Sequence, residues 1–363
     1  MNYKKLFILF LGVVMACGIL DKLNGSESKN HFQNTDINYD VSMSSYWKMI
    51  KAYINAKRVE AEPKNNIPVS NITEEQLFVD TFDAVFRLGH SSLLIRLDGE
   101  FILIDPVFSE RASPLQWLGP KRFHQSPISI EQLPPLKAVI ISHDHYDHLD
   151  KHTIKLLNDK ASTFFTPLKV GDYLVEWGID EEKVHQLDWW QEITLNNLTI
   201  VATPAQHFSG RGIFDKDQTL WASWVIQGVE SKLFYSGDSG YFSGFKAIGN
   251  RYGPFDITMI ETGAYNELWS DIHMLPEESV QAHIDLQGKA MMPVHNSTFD
   301  LALHDWYEPL ERVSEFSKIK NVNLLTPKFG DAVNVKTPNS KEKWWRLMGD
   351  LMEEQSQPVL QKN

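Results

Sequence analysis

Ten residues at 141–150, Ile-Ser-His-Asp-His-Tyr-Asp-His-Leu-Asp, hold three histidines and three aspartates where the apolar run 138–141 ends. Such a set has three chemical readings: a metal site, an acid/base pair, or a polar loop that is rich in histidine. In an extended segment His143 and His145, two positions apart, point the same way and can share one cation. If the chain turns into a helix at Leu149, Asp147 and His148 swing toward a second. Imidazole with carboxylate is a ligand set suited to Zn²⁺ or a similar first-row divalent ion.

Three more residues of ligand type follow apolar runs: His207 in TIVATPAQH, Asp238 in KLFYSGD and His295 in AMMPVH. Singly, a histidine at a strand end is more often a hydrogen-bonded structural residue, and Asp238 between Gly237 and Ser239 could organise a turn. Together with His-x-His-x-Asp-His they favour metal, because strands that end side by side on one sheet edge deliver such groups to one place.

The elements that must do this are legible as short apolar runs at 84–88, 92–97, 101–104, 138–141, 198–201, 232–235, 257–260 and 289–294. Helical spacing at 151–158, 168–177 and 276–285 separates them, an α/β pattern. With 363 residues, 42% hydrophobic and 12% aromatic, the chain can bury a large core. A net charge of −12 lacks the basic excess that neutralises a nucleic-acid backbone, so nucleic acid is excluded as a partner.

Residues 1–17 have a basic start, an apolar stretch too short to span a bilayer, and the chain's only cysteine, Cys17. Val14-Met15-Ala16-Cys17 resembles a bacterial lipobox, which predicts a lipoprotein signal, export to the cell envelope and a lipid anchor at a membrane surface. A plain cleaved signal and a periplasmic or secreted protein is the alternative. Polar residues over 18–45 predict a flexible tether, and 46–78 an amphipathic helix and linker; the helix either packs on the main domain or touches a membrane. The catalytic domain is expected over 79–340 and a C-terminal helix and tail over 341–363.

The stretches IDPVFSERASPLQWLGPKRF (104–123), LPPLKAVIISHDHYDHLD (133–150), LDWWQE (187–192), TPAQH (203–207), GDSGY (237–241) and GPFDITMIETGAY (253–265) resemble the metallo-β-lactamase superfamily. Within it they are most similar to the N-acylphosphatidylethanolamine-hydrolysing phospholipase D group and its bacterial relatives. The resemblance spans roughly 80–330 and implies an αββα sandwich with metal at the edge between two sheets. It implies that His143, His145 and His207 hold one zinc ion, that Asp147, His148 and His295 hold another, and that Asp238 bridges them. Asp105 is either a carboxylate orienting a ligand histidine or a strand-end turn residue.

The implied reaction is phosphodiester hydrolysis by a metal-bound hydroxide, with Asp147 and Asp238 positioning it and His273 protonating the leaving oxygen. A lactonase or sugar-phosphate hydrolase is the alternative enzyme, and a non-catalytic surface lipoprotein a third reading. Two departures bear on substrate. Asn296-Ser297 stand where the family phospholipases have Trp-Gly, and Ile272 replaces a polar residue. His90 reads as a support or structural residue, and His283 and His304 as structural or surface residues. Composition leaves the oligomeric state open.

Overall fold

Side chains alternate between two faces along each strand, and in the central strands both faces are apolar, so each sheet is covered on both sides. The computed structural model describes residues 31–37, 43–212 and 214–348. The expected signal, Cys17 and the expected tail beyond 348 lie outside these residues.

The strands are β1 (Ala84–Arg87), β2 (Leu93–Leu97), β3 (Glu100–Ile104), β4 (Ala138–Ile140), β5 (Phe164–Pro167), β6 (Val184–Leu187) and β7 (Glu192–Leu195), then β8 (Leu198–Thr203), β9 (Ser223–Gln227), β10 (Lys232–Tyr235), β11 (Phe255–Glu261), β12 (Gly288–Val294) and β13 (Ala332–Asn334). One sheet has the order β13-β1-β2-β3-β4-β5-β6, the other β12-β11-β10-β9-β8-β7. Val85, Ile95, Ile102 and Ile140 of the first sheet meet Ile200, Trp224, Leu233, Ile257 and Met292 of the second in the central core. Their alternates Phe86, Leu94, Leu103 and Val139 face outward onto the helices Lys151–Leu157 and Val170–Glu176. On the other side Val201, Phe234 and Ile260 pack against the helices Gly244–Tyr252, Pro276–Asp285 and Glu308–Ile319. This is the expected αββα sandwich.

Several elements had no expectation in the sequence. Strands β6 and β7 lie at the sheet edges and are half exposed, so their polar residues hide the alternation. The helix Gly244–Tyr252 contains Gly249, a weak helix former, because a Cβ there would come within 2.1 Å of the Asp285 carbonyl oxygen. The expected amphipathic helix forms as Met43–Asn55 and packs through Met49 and Tyr53 against Trp269, Ile272 and Ala302.

The described residues near the termini bear on two of the expectations. Residues 31–37 do not behave as a tether: the Phe32 N–H donates to the Asp217 carbonyl at 2.8 Å, and the Ser243 N–H donates to Asp36 at 3.0 Å. The described part of the expected C-terminal helix is a single 3-10 turn, Trp344–Leu347. Its two tryptophans are buried against Trp306, Leu310 and Phe329.

His283 sits buried on the helix Pro276–Asp285, with Nδ1 2.7 Å from the Thr258 hydroxyl. Burial pushes its pKa down to about 4, so the folded state resists the proton that the unfolded chain takes up near pH 6.5. The stabilisation from keeping it neutral is complete above pH 6.5 and is lost as pH falls toward 4, up to about 3 kcal/mol. Chemical denaturation of the wild type and of His283→Gln across that range tests this. Their difference in unfolding free energy should shrink on acidification, and a constant difference would refute it.

Candidate metal centre

The ends of four strands meet at one edge of the sandwich. After β4 comes the loop 141–150, after β8 His207, after β10 Asp238 and after β12 His295. His295 takes φ +63°, a left-handed turn unusual for a non-glycine residue, which swings its ring off the strand line into the site. Helix start and loop are joined by Asp150, whose carboxylate accepts from the His152 and Ser109 N–H groups at 3.0 Å each.

All seven expected ligands come together, in two groups that share Asp238. In the first, His145 Nδ1 lies 2.9 Å from His143 Nε2 and 3.2 Å from His207 Nε2, and Asp238 Oδ2 lies 3.8 Å from both His143 Nε2 and His207 Nε2. In the second, Asp238 Oδ1 is 3.1 Å from His148 Nε2 and Oδ2 is 3.0 Å from His295 Nε2. Asp147 Oδ2 is 3.5 Å from the first of these nitrogens and 3.2 Å from the second. Four ligands around an ion at about 2.0–2.1 Å stand about 3.3 Å apart, so both spacings fit a small divalent cation. His148 Nε2 and Asp238 Oδ1 are buried without a hydrogen-bond partner, as atoms reserved for coordination are.

The far side of each ring is fixed. Asp105 is fully buried and accepts from the Ser142 N–H at 2.7 Å, the Ser142 hydroxyl at 2.5 Å, His148 Nδ1 at 2.7 Å and the Tyr235 hydroxyl at 2.5 Å. Of its two readings, the carboxylate that orients a ligand is the one observed. Ser142 Oγ in turn lies 2.9 Å from His143 Nδ1, and the Ile272 carbonyl accepts from His207 Nδ1 at 3.0 Å. These bonds leave the Nε2 lone pairs of His143, His148 and His207 facing the centre.

Charge is distributed to suit cations. Burial, reinforced by neighbouring histidines, pushes His143 and His207 well below the usual histidine range, so both are neutral and able to coordinate. Burial also works against charging His148 and His295, yet Asp238 and Asp147 beside them hold both protonated, His295 up to about 10. Burial likewise opposes ionising Asp147 and Asp238, and is outweighed by His148 for Asp147 and by His148 and His295 for Asp238. Ions entering the second group must displace those protons, which couples binding to pH.

Some site residues carry no motif. Glu261, at the end of β11, is fully buried; burial and then the Asp238 charge hold its carboxyl well above the usual range. It makes a short hydrogen bond to His273 Nδ1, and its Oε2 accepts from the Ser239 N–H at 2.6 Å. The signal available was a lone acid closing an otherwise apolar run. His273 itself lies beside the ligand rings, 5.0 Å from His207 and 5.5 Å from His295 between centroids. His90 Nε2 is 3.2 Å from Asp147 Oδ2 and belongs to the second cluster, a closer part than support from a distance. Asp144 ties the motif to the loop after β8 by accepting from the Gly210 N–H and the Thr219 hydroxyl at 2.9 Å each. Asn296, where the resemblance has Trp, binds the buried Arg87 through its side-chain oxygen at 2.7 Å, behind the site.

A family described as the beta-lactamase superfamily domain matches residues 100–296. An uncharacterized protein of Mycobacterium tuberculosis is 44% identical over 268 residues, 73% of this chain and 72% of the relative. The N-acyl-phosphatidylethanolamine-hydrolyzing phospholipase D 1 of Caenorhabditis elegans is 29% identical over 328 residues, 85% of this chain and 92% of its own. Among solved structures, a metallo hydrolase from the archaeon Ignicoccus hospitalis superposes with a TM-score of 0.54 at 21% identity, over 70% of this chain and 98% of its own.

Proposed function

Given that the chain belongs to the metallo-β-lactamase superfamily and is a metal-dependent hydrolase of that fold, we propose that it is a zinc-dependent phosphodiesterase of the phospholipase D type. Its substrate is N-acylphosphatidylethanolamine or a related phospholipid. The observation that carries the reading is Asp238 standing between two histidine-rich groups. Support for the substrate comes from the likeness to the worm phospholipase along most of both chains. The same reading places the protein in the bacterial envelope, held at its substrate by a lipid on Cys17.

His143, His145 and His207 with Asp238 would hold one ion, and Asp147, His148 and His295 with Asp238 the other. When bound, such a pair supplies Lewis acidity to a phosphate oxygen and makes a water molecule acidic enough to serve as nucleophile near neutral pH. Asp147, which His90 contacts at Oδ2, would with Asp238 orient the attacking water. Hydrolysis forms a bond from water oxygen to phosphorus and breaks the bond from phosphorus to the ethanolamine oxygen, which leaves needing a proton. In this reading His273 gives it. Because Glu261 and His273 share a proton at Nδ1, Nε2 carries a hydrogen whichever partner holds the shared one. The proton released by water restores the pair.

Zinc-loaded protein mixed with N-acylphosphatidylethanolamine vesicles should release N-acylethanolamine and phosphatidic acid in equal amounts. Intact phospholipid alongside hydrolysis of a soluble lactone or a sugar phosphate would replace this substrate with the alternative one.

A further inference from the structure

The loop 204–222 that carries His207 connects β8 to β9 with no helix or strand among its described residues. A ligand on such a loop needs its backbone held by something other than a sheet ladder. The holder comes from far away in sequence. Asn34 Oδ1 accepts from the His207 N–H at 3.0 Å, and Asn34 Nδ2 donates to the His207 carbonyl at 2.8 Å. One side-chain amide thus pairs with both backbone groups of one residue, as a neighbouring peptide would in a sheet. The Trp221 indole N–H donates to the same Oδ1 at 2.9 Å and fixes the amide's rotation.

The flanking residues hold the segment in place. The Phe32 N–H bonds to the Asp217 carbonyl at the far end of the loop, the Lys169 ammonium lies 5.8 Å from the centre of the Phe32 ring, and Asp36 accepts from the Ser243 N–H. With the Ile272 carbonyl fixing Nδ1 of the ring, the orientation of His207 is set from two sides, one of them residues 31–36.

We infer that Asn34 is a positioning residue for His207, so that this N-terminal strap, outside the catalytic domain in sequence, completes the first ion group. The inference rests on the reading of His207 as a ligand. Neither the metal-site motif nor the resemblance covers residue 34.

The test uses the full chain with Co²⁺, comparing wild type, Asn34→Ala, Asn34→Asp and His207→Ala. Chelator competition gives affinity, the visible Co²⁺ spectrum reports ligand geometry, and melting of the metal-free protein reports fold. Asn34→Ala should weaken the tetra-ligand first group about 10- to 100-fold and alter the spectrum, while the metal-free melting temperature moves by only a few degrees. Asn34→Asp keeps the acceptor for His207 N–H and Trp221, and should recover part of the affinity and spectrum. Wild-type affinity and spectrum in Asn34→Ala, or an Asn34→Asp no better than alanine, would overturn the inference. His207→Ala binding Co²⁺ as the wild type does would instead overturn the ligand reading itself, a separate result.

Discussion

Asp238→Ala is expected to lose both ions at once and to reduce kcat/KM by at least about 1000-fold, about 4 kcal/mol of transition-state stabilisation. The reason is geometric. Asp238 reaches His148 with one oxygen and stands near His143, His207 and His295 with the other, so among the described residues it is the carboxylate common to both ligand groups. His145→Ala, by contrast, removes a ligand from one group and should leave a chain that still retains about one ion. Elemental analysis of both purified variants, together with turnover on the phospholipid vesicles, distinguishes these cases. Two ions per chain and near-normal turnover in Asp238→Ala would remove the shared-carboxylate mechanism.

The second large effect is expected at Asp105, which touches no ion. Its four hydrogen bonds gather Ser142, His148 and Tyr235 around one fully buried carboxylate. Asp105→Ala strands buried donors at roughly 1–3 kcal/mol each, so a loss of several kcal/mol in the metal-free protein is expected. Asp105→Asn preserves volume and one acceptor but turns an NH₂ toward groups that themselves donate. It should fold better than the alanine variant yet bind metal about 10- to 100-fold more weakly, because His148 loses its fixed tautomer and direction. Metal-free melting curves with chelator titrations read the two effects separately. An asparagine variant with unaltered affinity would show that His148 is oriented without Asp105.

The reach of the sequence is uneven for physical reasons. His143, His145, Asp147 and His148 are legible because ligand spacing is local, and His207, Asp238 and His295 because each follows a buried run that ends at one sheet edge. The central strands β1–β4 stand out since both faces are apolar, whereas β6 and β7 at the edges do not. Glu261 and Asn34 act through contacts that no periodicity encodes: the bond from Asn34 to His207 joins residues 173 positions apart. A polar, asparagine-rich stretch reads as a tether when its partners are unknown, since the same amides that solvate a linker can pair with a loop backbone.

Both ligand groups draw from the two sheets together. His143, His145, Asp147 and His148 follow β4 of one sheet, while His207, Asp238 and His295 follow β8, β10 and β12 of the other. On the proposed reading, each ion would therefore be a removable cross-link over the seam of the sandwich. An ion that binds only the assembled seam adds stability by mass action, about 4 kcal/mol when its free concentration is 1000 times its dissociation constant. On that reading the supply of metal would govern how long the chain survives as well as how fast it works: a starved molecule is expected to lose this contribution, and its lifetime against proteases to fall with the free ion.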